Sequence, residues 1–466
     1  MNKTDTIVFM SAYETTKYSK SRQIFRKTST LSTLLDKHHL SYILKDNKLI
    51  SSKGALELCA EYDYIQQSTA FSFSTINEKS DIDNFEELIK QTGSCIKLLH
   101  AQSVLSDPLY FNIDFIISMD QFLVYIGEQA FQIDPVIFSL NRALIIAFEV
   151  IDFETGNPLK KDDVLGKLGN YNLLTVNGYQ YFGEASITPA NNKISEIIYN
   201  NISSFFSEMT GKKFVPEDYS FIHNTLVLSN DVDDIAGYFC KLIGTKEIPS
   251  PLVNISTTEN YQYYPQDGSC VITKYNSDDV SLPLYNGILF EAIKMYVYLT
   301  QIINLEITSD VNKVMRNDLY LENLFFAPHV PIETHNLLSY VYKTNSFQHH
   351  KEATRLKISY MTAENDSKKS RNGVLLNILL YIVSLIGAIG TLDTLECRLN
   401  IPFKYSFSAV ILFFSVFGII WAKIRDFFKN PLFTGVSTVI NAVFTPITTP
   451  LILHSMQIPH FPFPCF

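Results

Sequence analysis

The residues GVLLNILLYIVSLIGAIGTL at positions 373–392 decide the fold of this chain. They run for 20 residues without a charged side chain. A helix of that length rises about 30 Å, which matches the hydrocarbon core of a lipid bilayer. The stretch therefore predicts a first transmembrane helix over residues 373–392.

A second uncharged stretch, YSFSAVILFFSVFGIIWA, follows at residues 405–422. It ends on Trp421, a side chain that favours the boundary between lipid and water. Two such stretches so close together favour a transmembrane hairpin over two buried core helices. Residues 393–404 are then an external loop, which is long enough to turn the hairpin.

Basic residues precede the first predicted span and follow the second. Segments rich in Lys and Arg remain cytoplasmic, so both long ends of the chain are predicted to lie inside the cell. We expect a multi-pass protein of the inner, cytoplasmic membrane with a cytoplasmic N-terminus. Six basic residues would form a collar at the inner end of the spans: Lys368, Lys369, Arg371, Lys423, Arg425 and Lys429.

The tail at residues 423–466 is apolar but unsuited to a further span. Residues 431–466 contain no Asp, Glu, Lys or Arg, yet Pro446 and Pro450 would break a helix that crossed the bilayer. We expect a cytoplasmic or interfacial tail that packs against the spans as a re-entrant segment. A third span is the alternative.

Residues 1–250 alternate stretches typical of strands with stretches typical of helices, which predicts a cytosolic α/β domain with a mixed sheet. Asn177-Gly178 predicts a hairpin, because both residues tolerate the positive φ of a type I′ turn. Strands are expected at Thr6–Met10, Tyr110–Ile117, Phe122–Tyr125, Ala143–Asp152 and Phe221–Leu228. Helices are expected at Asp83–His100, Asn192–Met209 and Asp233–Ile243.

Residues 251–372 are predicted to hold a linker followed by long stalk helices. The polar residues 256–268 are typical of a linker. The pattern then favours a helix over Gly287–Arg316 and another from Pro331 towards the first span. An unbroken backbone into that span would form one helix of about 60 residues. With its α/β domain, stalk and two C-terminal transmembrane helices, the chain belongs to the α+β class.

Charge and cysteine content exclude several classes of function. The chain has a net charge of -9, and residues 1–372 carry -11 because five basic and three acidic residues follow them. Direct binding of nucleic acid needs a basic face, so an acidic domain argues against it. Six cysteines without a Cys-x-x-Cys pair predict neither a zinc site nor a disulfide framework.

The common catalytic and nucleotide-binding motifs are missing from the sequence. It contains no GxxxxGK[ST], GxGxxG, HExxH or GxSxG, so we expect no enzyme activity and no required cofactor. Two acidic clusters could bind a divalent cation, but each precedes a predicted helix and is better explained as helix N-terminal charge. These clusters are Asp81, Asp83, Glu86 and Glu87, and Asp231, Asp233 and Asp234. Metal and ligand sites stay unknown.

Polar residues recur along one face of the first predicted span. Asn377, Ser384 and Thr391 are seven residues apart, a spacing that drifts by only about 20° per step on an α-helix. With this face turned inward in an oligomer, these residues and Gly387 would line a pore and replace part of an ion's hydration shell. Ordinary packing of spans by small and polar residues explains the same stripe, and both interpretations remain open.

The order of these parts resembles the CorA family of divalent cation transporters. That family carries Gly-Met-Asn at the outer end of the first span, where the Asn helps to select hydrated magnesium. This chain has Gly390-Thr391-Leu392-Asp393 there, so only the glycine matches. Thr391 or Asp393 would have to take the selective role, and Gly390, Asp393 and Glu396 would form the outer pore mouth.

The resemblance implies a homopentamer in the lipid membrane, whose first spans line a pore for inorganic cations. It also implies a cytosolic funnel that senses a ligand, such as Mg²⁺ or another divalent cation. Divergent CorA-like proteins without the signature are encoded beside type III CRISPR systems, where they look like membrane effectors gated by a nucleotide second messenger. This chain is similar to that branch in its large soluble part and altered signature.

Three functions fit these patterns. In the first, a CorA-like channel is opened by a ligand on its cytosolic domain, as an antiviral effector would be. In the second, the chain is a constitutive transporter of magnesium or another divalent cation, which the altered signature argues against. In the third, it is a membrane-tethered binding protein without a pore, whose polar stripe only packs helices.

Overall fold

In the computed structural model, the described residues are 5–14, 28–51, 55–63, 68–75, 93–105, 110–126, 129–141, 143–154, 173–176, 179–182, 187–210, 221–230, 232–243, 246–248, 250–276 and 281–399. The chain divides into two compact units, Met1–Ile358 and Ser359–Phe466. Several predicted features lie outside the described residues: the span at 405–422, loop residues 400–404, the tail at 423–466 with Lys423, Arg425 and Lys429, and the acidic residues Asp81, Asp83, Glu86, Glu87 and Asp231.

Within those ranges the chain is a mixture of strands and helices, as the α+β class predicts. The strands are β1 Asp5–Glu14, β2 Leu40–Lys45, β3 Lys48–Ser51, β4 Ala55–Asp63, β5 Ser68–Thr75, β6 Ile113–Met119, β7 Phe122–Ile126, β8 Gln129–Leu140, β9 Ala143–Asp152, β10 Leu173–Val176, β11 Tyr179–Phe182, β12 Phe221–Ser229, β13 Gln262–Gln266 and β14 Ser269–Thr273. The helices are α1 Thr28–Lys37, α2 Gly93–Leu105, α3 Ile187–Thr210, α4 Ile235–Ile243, α5 Ser281–Glu306, α6 Val311–Phe325, α7 Ile332–Lys343 and α8 Asn345–Leu399.

All of these strands belong to one sheet. Its order is β13-β14-β12-β1-β9-β8-β6-β2-β3-β4-β5, and β7, β10 and β11 extend it from β8. Neighbours are antiparallel apart from β12 and β14, which are parallel. The predicted mixed sheet is therefore confirmed. Strands β10 and β11 pair in the antiparallel sense with Val176 opposite Tyr179, as the predicted hairpin requires, while its turn residues Asn177-Gly178 lie outside the described residues.

Alternation along the strands gives the sheet two apolar faces. On β1, Val8 and Met10 belong to one buried cluster, and Ile7 and Phe9 belong to the other. Residues of α2, α5, α6 and α7 complete the first cluster, while α1, α3 and α4 complete the second. The first unit therefore has the sheet at its centre and helices on both sides, and burial of these faces is its main stabilising contribution.

Helix α5 lies in the middle of the first cluster. Among the residues described down to their side chains, α5 is the one helix that is long and apolar enough to cross a membrane by length and composition. Its apolar window is 72% buried inside the fold, as in a core helix. Gly287 permits this close packing, because a Cβ there would lie 2.5 Å from Cδ1 of Ile272 on β14.

The sheet extends beyond the domain boundary predicted at residue 250. Residues 262–266, within the predicted linker, form β13, residues 269–273 after it form β14, and the first unit continues to Ile358. Strand β13 can contain Pro265 because it lies at the edge of the described sheet. A proline has no amide hydrogen, and at an edge no further strand requires one. The linker and part of the predicted stalk are therefore core elements of the first unit.

The predicted helix over Gly287–Arg316 is two helices in the structure. Helix α5 ends at Glu306, and α6 begins at Val311. The Asp310 side chain accepts a 3.0 Å hydrogen bond from the Lys313 amide. This N-cap satisfies an otherwise unpaired backbone donor and starts a new helix there.

Helix α8 connects the folded core to the first predicted span. It starts after Thr344, whose hydroxyl accepts a 3.2 Å hydrogen bond from the Phe347 amide. The helix predicted from Pro331 is therefore broken at Thr344, where α7 ends and α8 begins. From Asn345, α8 continues for 55 residues to Leu399 without a break through residues 373–392. Residues 393–399, which we expected in the external loop, are helical because neither Gly nor Pro interrupts them.

Candidate functional site

Helix α8 carries every residue predicted for the pore lining. Asn377 is exposed and Ser384 is half-buried. At about 100° per residue, the helix places Asn377, Ser384 and Thr391 within about 40° of arc. Gly387 lies about 60° from the middle of this stripe. Asn377, Ser384 and Thr391 therefore share one helix face, whereas Gly387 lies at its border.

The residues predicted for the outer pore mouth do not share that face. Because the helix continues past residue 392, position 393 lies about 180° around the helix from the middle of the stripe. Gly390 and Glu396 each lie about 120° from it.

Apolar side chains are exposed beside the polar stripe. Leu376, Leu379 and Val383 are 48%, 58% and 56% exposed. They share a face about 100° from the stripe. Contiguous exposed apolar surface of this kind marks contact with lipid or with another chain. The polar stripe thus has exposed apolar surface beside it on α8.

The described half of the predicted basic collar lies one turn before the uncharged stretch. Lys368, Lys369 and Arg371 are all exposed. Lys368 forms a 2.6 Å ion pair with Glu364, four residues earlier on the same helix. Exposed ammonium and guanidinium groups at this level suit the headgroup region of a membrane.

The first unit contains a polar cleft of about 610 Å³ where strands β2, β3 and β6 meet at one end. Asp46 and Asn47 form the β2–β3 turn with φ angles of 48° and 61°, which such short polar residues tolerate. The turn is fixed by a 2.7 Å hydrogen bond from the Leu58 amide to the Asn47 carbonyl. The cleft cannot be recognised in the sequence, because its walls come from distant parts of the chain.

The cleft combines a polar rim with an apolar floor. The rim includes Lys45, Asp46, Asn47, Asn112 and Asp114. The floor includes Leu58, Leu99 and Ile116. A concave site of this size with several polar groups and a smaller apolar part suits a small polar molecule. The carboxylates, amides and ammonium group offer both acceptors and donors.

Hydrogen bonds tie the rim of the cleft to helix α6. Asn112 and Asn141 bond twice, through the Asn141 amide at 2.9 Å and through the Asn112 amide at 3.0 Å. The Asn141 side chain donates a 2.6 Å bond to the Tyr110 carbonyl. The Tyr320 hydroxyl of α6 donates to that same carbonyl at 3.1 Å. Asn112 and Tyr320 are thus connected through Asn141 and the Tyr110 carbonyl.

Helix α6 in turn holds the base of α8. Glu322 of α6 forms a 2.5 Å ion pair with Lys351 of α8, and Lys351 donates a 2.9 Å bond to the Tyr342 hydroxyl. Burial disfavours the charged ammonium, but the bonds to Glu322 and Tyr342 outweigh it and raise the pKa of Lys351. Phe325 and Phe347 stack edge to face with centroids 4.8 Å apart. A continuous set of contacts therefore links the cleft to α8.

The fold also brings together a serine and a histidine that the sequence analysis did not connect. Ser11 on β1 and His223 on β12 are directly paired, and Ser11 Oγ lies 2.5 Å from His223 Nδ1. A nucleophile must reach its substrate, but Ser11 is 0% exposed and donates a 2.6 Å bond to Ser195. Burial lowers the pKa of His223 to about 4. We interpret the pair as part of the core.

Metal binding has no visible site among the described residues. No group of three or more His, Cys, Asp or Glu side chains there is arranged to hold an ion. Of the second acidic cluster, Asp234 accepts a 3.0 Å hydrogen bond from the Gly237 amide at the start of α4. This bond supports the interpretation of that cluster as helix N-terminal charge.

Two sites therefore stand out, a polar cleft in the first unit and the polar stripe of α8 in the second. Comparison of the chain with protein-family models, curated proteins and solved structures finds no match. What the protein does is accordingly inferred from these two sites and from the contacts around them.

Proposed function

We propose that this chain is an oligomeric, CorA-like membrane ion channel that opens when a ligand binds to its cytosolic part. One observation carries the proposal. Helix α8 begins inside the folded first unit and continues without a break through the uncharged residues 373–392. A helix translates and rotates nearly as a rigid rod, so a small shift at its base reaches the membrane end.

In this proposal the cleft of the first unit binds the ligand, a nucleotide second messenger. Lys45 suits a phosphate group, and the amides of Asn47 and Asn112 suit the edge of a base. Asp114 accepts a 3.1 Å hydrogen bond from the Asn112 side-chain amide, and its other acceptor positions suit hydroxyl groups such as those of a ribose. The floor of Leu58 and Leu99 gives a flat base an apolar surface.

Gating would run through the contacts between the cleft and α8. A ligand held by Asn112 shifts the equilibrium only if it binds the open arrangement more tightly than the closed one. Two sets of contacts would couple the open and closed arrangements to α8. They are the hydrogen bonds from Asn112 through Asn141 to Tyr320 and the ion pair between Glu322 and Lys351. Coupling of this kind amounts to about 1–3 kcal/mol in typical allosteric proteins.

The remaining parts of the proposal follow from the CorA resemblance. Copies of the chain, five in the related family, surround a pore in the cytoplasmic membrane with the N-terminal part inside the cell. Asn377, Ser384, Gly387 and Thr391 contact permeating inorganic cations, including Mg²⁺. The chain performs no catalysis and needs no direct contact with nucleic acid. Opening the pore would depolarise the membrane, which suits a type III CRISPR antiviral effector.

Ion flux into liposomes tests the proposal. The purified full chain is reconstituted, and K⁺ and Mg²⁺ entry is recorded first without nucleotide and then with AMP, ATP and cyclic adenylates in turn. We expect little flux without nucleotide and rapid flux with one of them. The variant Asn112→Ala, which alters the rim of the cleft, should need a higher nucleotide concentration.

Two outcomes would replace the proposal by another function. Magnesium-selective flux without nucleotide, closed by internal Mg²⁺, would establish a constitutive transporter. No flux under any condition, from vesicles that a pore-forming peptide still permeabilises, would favour a membrane-tethered binding protein. The matched variant Asn254→Ala, which changes a different exposed Asn outside the cleft, should leave the nucleotide response unchanged.

A further inference from the structure

Carboxylates outnumber cations in the polar cleft of the first unit. Of the described residues that line it, three are charged: Lys45, Asp46 and Asp114. Beside the cleft, Lys48 on β3 lies opposite Glu57 on β4, so those two charges cancel. The described walls therefore carry one positive and two negative charges, a net charge of -1. A ligand with several phosphate groups does not complement this charge.

Asp114 is held at the rim of the cleft by its own strand. The register of β6 against β8 shifts between Ile113 and Phe115, as in a β-bulge at Asp114. Bulges redirect side chains and are frequent next to functional sites. The carboxylate accepts its 3.1 Å hydrogen bond from Asn112, another residue of the rim. Asp114 is half-buried, so water and salt screen its charge less than that of an exposed side chain.

Size does not decide which nucleotide enters the cleft. Its volume of about 610 Å³ is in the range of about 300–1,000 Å³ that is usual for sites of small organic molecules. A cleft of this volume admits a nucleoside triphosphate as well as a monophosphate. Discrimination between them therefore depends on the charged groups, among which Lys45 offers a positive charge for one phosphate.

We propose that the cleft selects nucleotides with one phosphate group per nucleoside over nucleoside diphosphates and triphosphates, and that Asp114 sets this preference. The inference rests on the proposed nucleotide site and names the class of nucleotide that it takes. Lys45 pairs with the first phosphate, and each further phosphate adds a negative charge that Asp46 and Asp114 repel. At the effective dielectric constant of a protein surface, such repulsion weakens binding by about threefold to tenfold per added phosphate.

A ligand without phosphate fits the charges of the cleft less well. A neutral nucleoside would not use the ammonium group of Lys45. A polyamine such as spermidine would be attracted by Asp46 and Asp114, but Lys45 would repel it. A nucleotide with one phosphate offers a negative charge to Lys45 and hydroxyl groups to Asp114, so it complements both signs of charge.

The binding of a graded series of ligands tests the proposal without ion flux. Adenosine, AMP, ADP and ATP are titrated by calorimetry into the full chain in detergent, with EDTA present so that no divalent cation masks the phosphates. We expect AMP to bind most tightly, adenosine more weakly, and ADP and ATP progressively more weakly than AMP. ATP that binds as tightly as AMP, or more tightly, would overturn the selectivity.

Removing the charge of Asp114 tests its own part. Asp114→Asn keeps the shape and an acceptor for the Asn112 amide, and it should raise ATP affinity by about threefold to tenfold and AMP affinity less. Asp46→Asn, in the exposed turn, should change the ratio of the two affinities in the same direction but by a smaller factor. An unchanged ratio in Asp114→Asn would overturn the role of Asp114.

The matched control is Asp120→Asn. Asp120 is exposed outside the cleft and accepts one hydrogen bond from a neighbouring strand, from the Ser41 hydroxyl at 2.5 Å. This variant should keep the wild-type ratio of ATP to AMP affinity. A ratio that shifts as much in Asp120→Asn as in Asp114→Asn would assign the selectivity to the overall charge of the unit and overturn the proposal.

Binding and flux together separate this inference from the proposed channel. Preferential binding of AMP without any flux would remove the channel and leave the selectivity in place. Flux evoked by ATP at lower concentrations than by AMP would leave the channel and overturn the selectivity. Binding of spermidine alone, or of none of these ligands, would overturn both the selectivity and the nucleotide site.

Discussion

Glu291 and Lys294 of α5 form a 2.8 Å ion pair inside the first unit, with side chains 0% and 1% exposed. Tyr263 and Asn224 donate hydrogen bonds to the Glu291 carboxylate, and Lys294 donates a 2.6 Å bond to the Gln266 carbonyl. Removing two charges from water is costly, and these bonds offset that cost. The pair therefore fixes where α5 lies on β12 and β13.

Removing one partner of this buried pair should destabilise the first unit strongly. Lys294→Met leaves the Glu291 carboxylate buried without its cation, which costs about 3–5 kcal/mol. The matched control is Lys193→Met on α3, where Lys193 and Glu196 have the same spacing and a 2.9 Å distance but are 31% and 49% exposed. That change should cost at most about 1 kcal/mol. The unfolding temperatures of both variants are measured by circular dichroism in detergent. Equal shifts of the unfolding temperature in the two variants would contradict the prediction.

His223 should make the stability of the first unit depend on pH. Burial lowers its pKa from 6.5 to about 4 in the folded chain, so the unfolded chain binds the proton more readily. Neutral His223 therefore contributes fully to the free energy of unfolding above about pH 7, and this contribution is lost as the pH falls from 6.5 towards 4. At pH 5 the loss is about 2 kcal/mol.

Thermal unfolding of wild type and His223→Gln between pH 7.5 and pH 5 checks this dependence. The substitution removes the titrating group, so the difference in unfolding temperature between the two pH values should become smaller. His329→Gln is the control, because His329 is exposed. A wild-type slope that survives in His223→Gln would assign the pH dependence to other groups.

The elements that the sequence predicted well are those with a clear period. Ala143–Asp152 was predicted as a strand and is β9 with the same bounds, and Asn192–Met209 lies inside α3. Their apolar residues alternate or recur at helical spacing, and each face meets one buried cluster. The local pattern of apolar residues is enough to predict these two elements.

The missed elements depend on partners that are distant in the chain. Leu40–Lys45 and Lys48–Ser51 are short strands buried over most of their length, so they show little alternation. The turn between them is Asp46-Asn47, a weaker hairpin signal than Asn-Gly. The cleft was missed for the same reason, because Lys45 and Asn112 meet only when β2 pairs with β6.

Tyr320→Phe should weaken the proposed coupling between the cleft and α8 without changing either end. The substitution removes the 3.1 Å hydrogen bond to the Tyr110 carbonyl and costs about 0.5–1.5 kcal/mol. Loss of a coupling contact shifts an allosteric equilibrium by about 0.5–2 kcal/mol. The nucleotide concentration for half-maximal flux should therefore rise by about twofold to thirtyfold.

The control for Tyr320→Phe is Tyr264→Phe on β13, which removes a similar 3.0 Å bond to Gln262 away from the cleft and α6. Dose–response curves of nucleotide-evoked flux are compared for both variants in liposomes. We expect the Tyr264→Phe curve to coincide with that of wild type. If the Tyr320→Phe curve also coincides with that of wild type, the Tyr320 hydroxyl does not couple the cleft to α8.

Substitution of Asn377 separates the two interpretations of the polar stripe. In a pore, Asn377→Leu replaces a ring of amides by apolar groups, so the ion loses contacts that replaced its hydration shell. If the ion is stabilised by about 1.4 kcal/mol less at the level of residue 377, flux falls about tenfold. Asn377→Asp supplies carboxylates at the same position and should raise cation flux.

Leu376→Val is the matched control for these Asn377 variants, because Leu376 is 48% exposed on the neighbouring apolar face. Flux per reconstituted oligomer should stay at the wild-type value, since this side chain would face lipid rather than the lumen. If Asn377 only packs helices, Asn377→Leu and Asn377→Asp would both lower the thermal stability of the oligomer without changing that flux. Opposite changes in flux at one position, with stability nearly constant, require a side chain that contacts the ion.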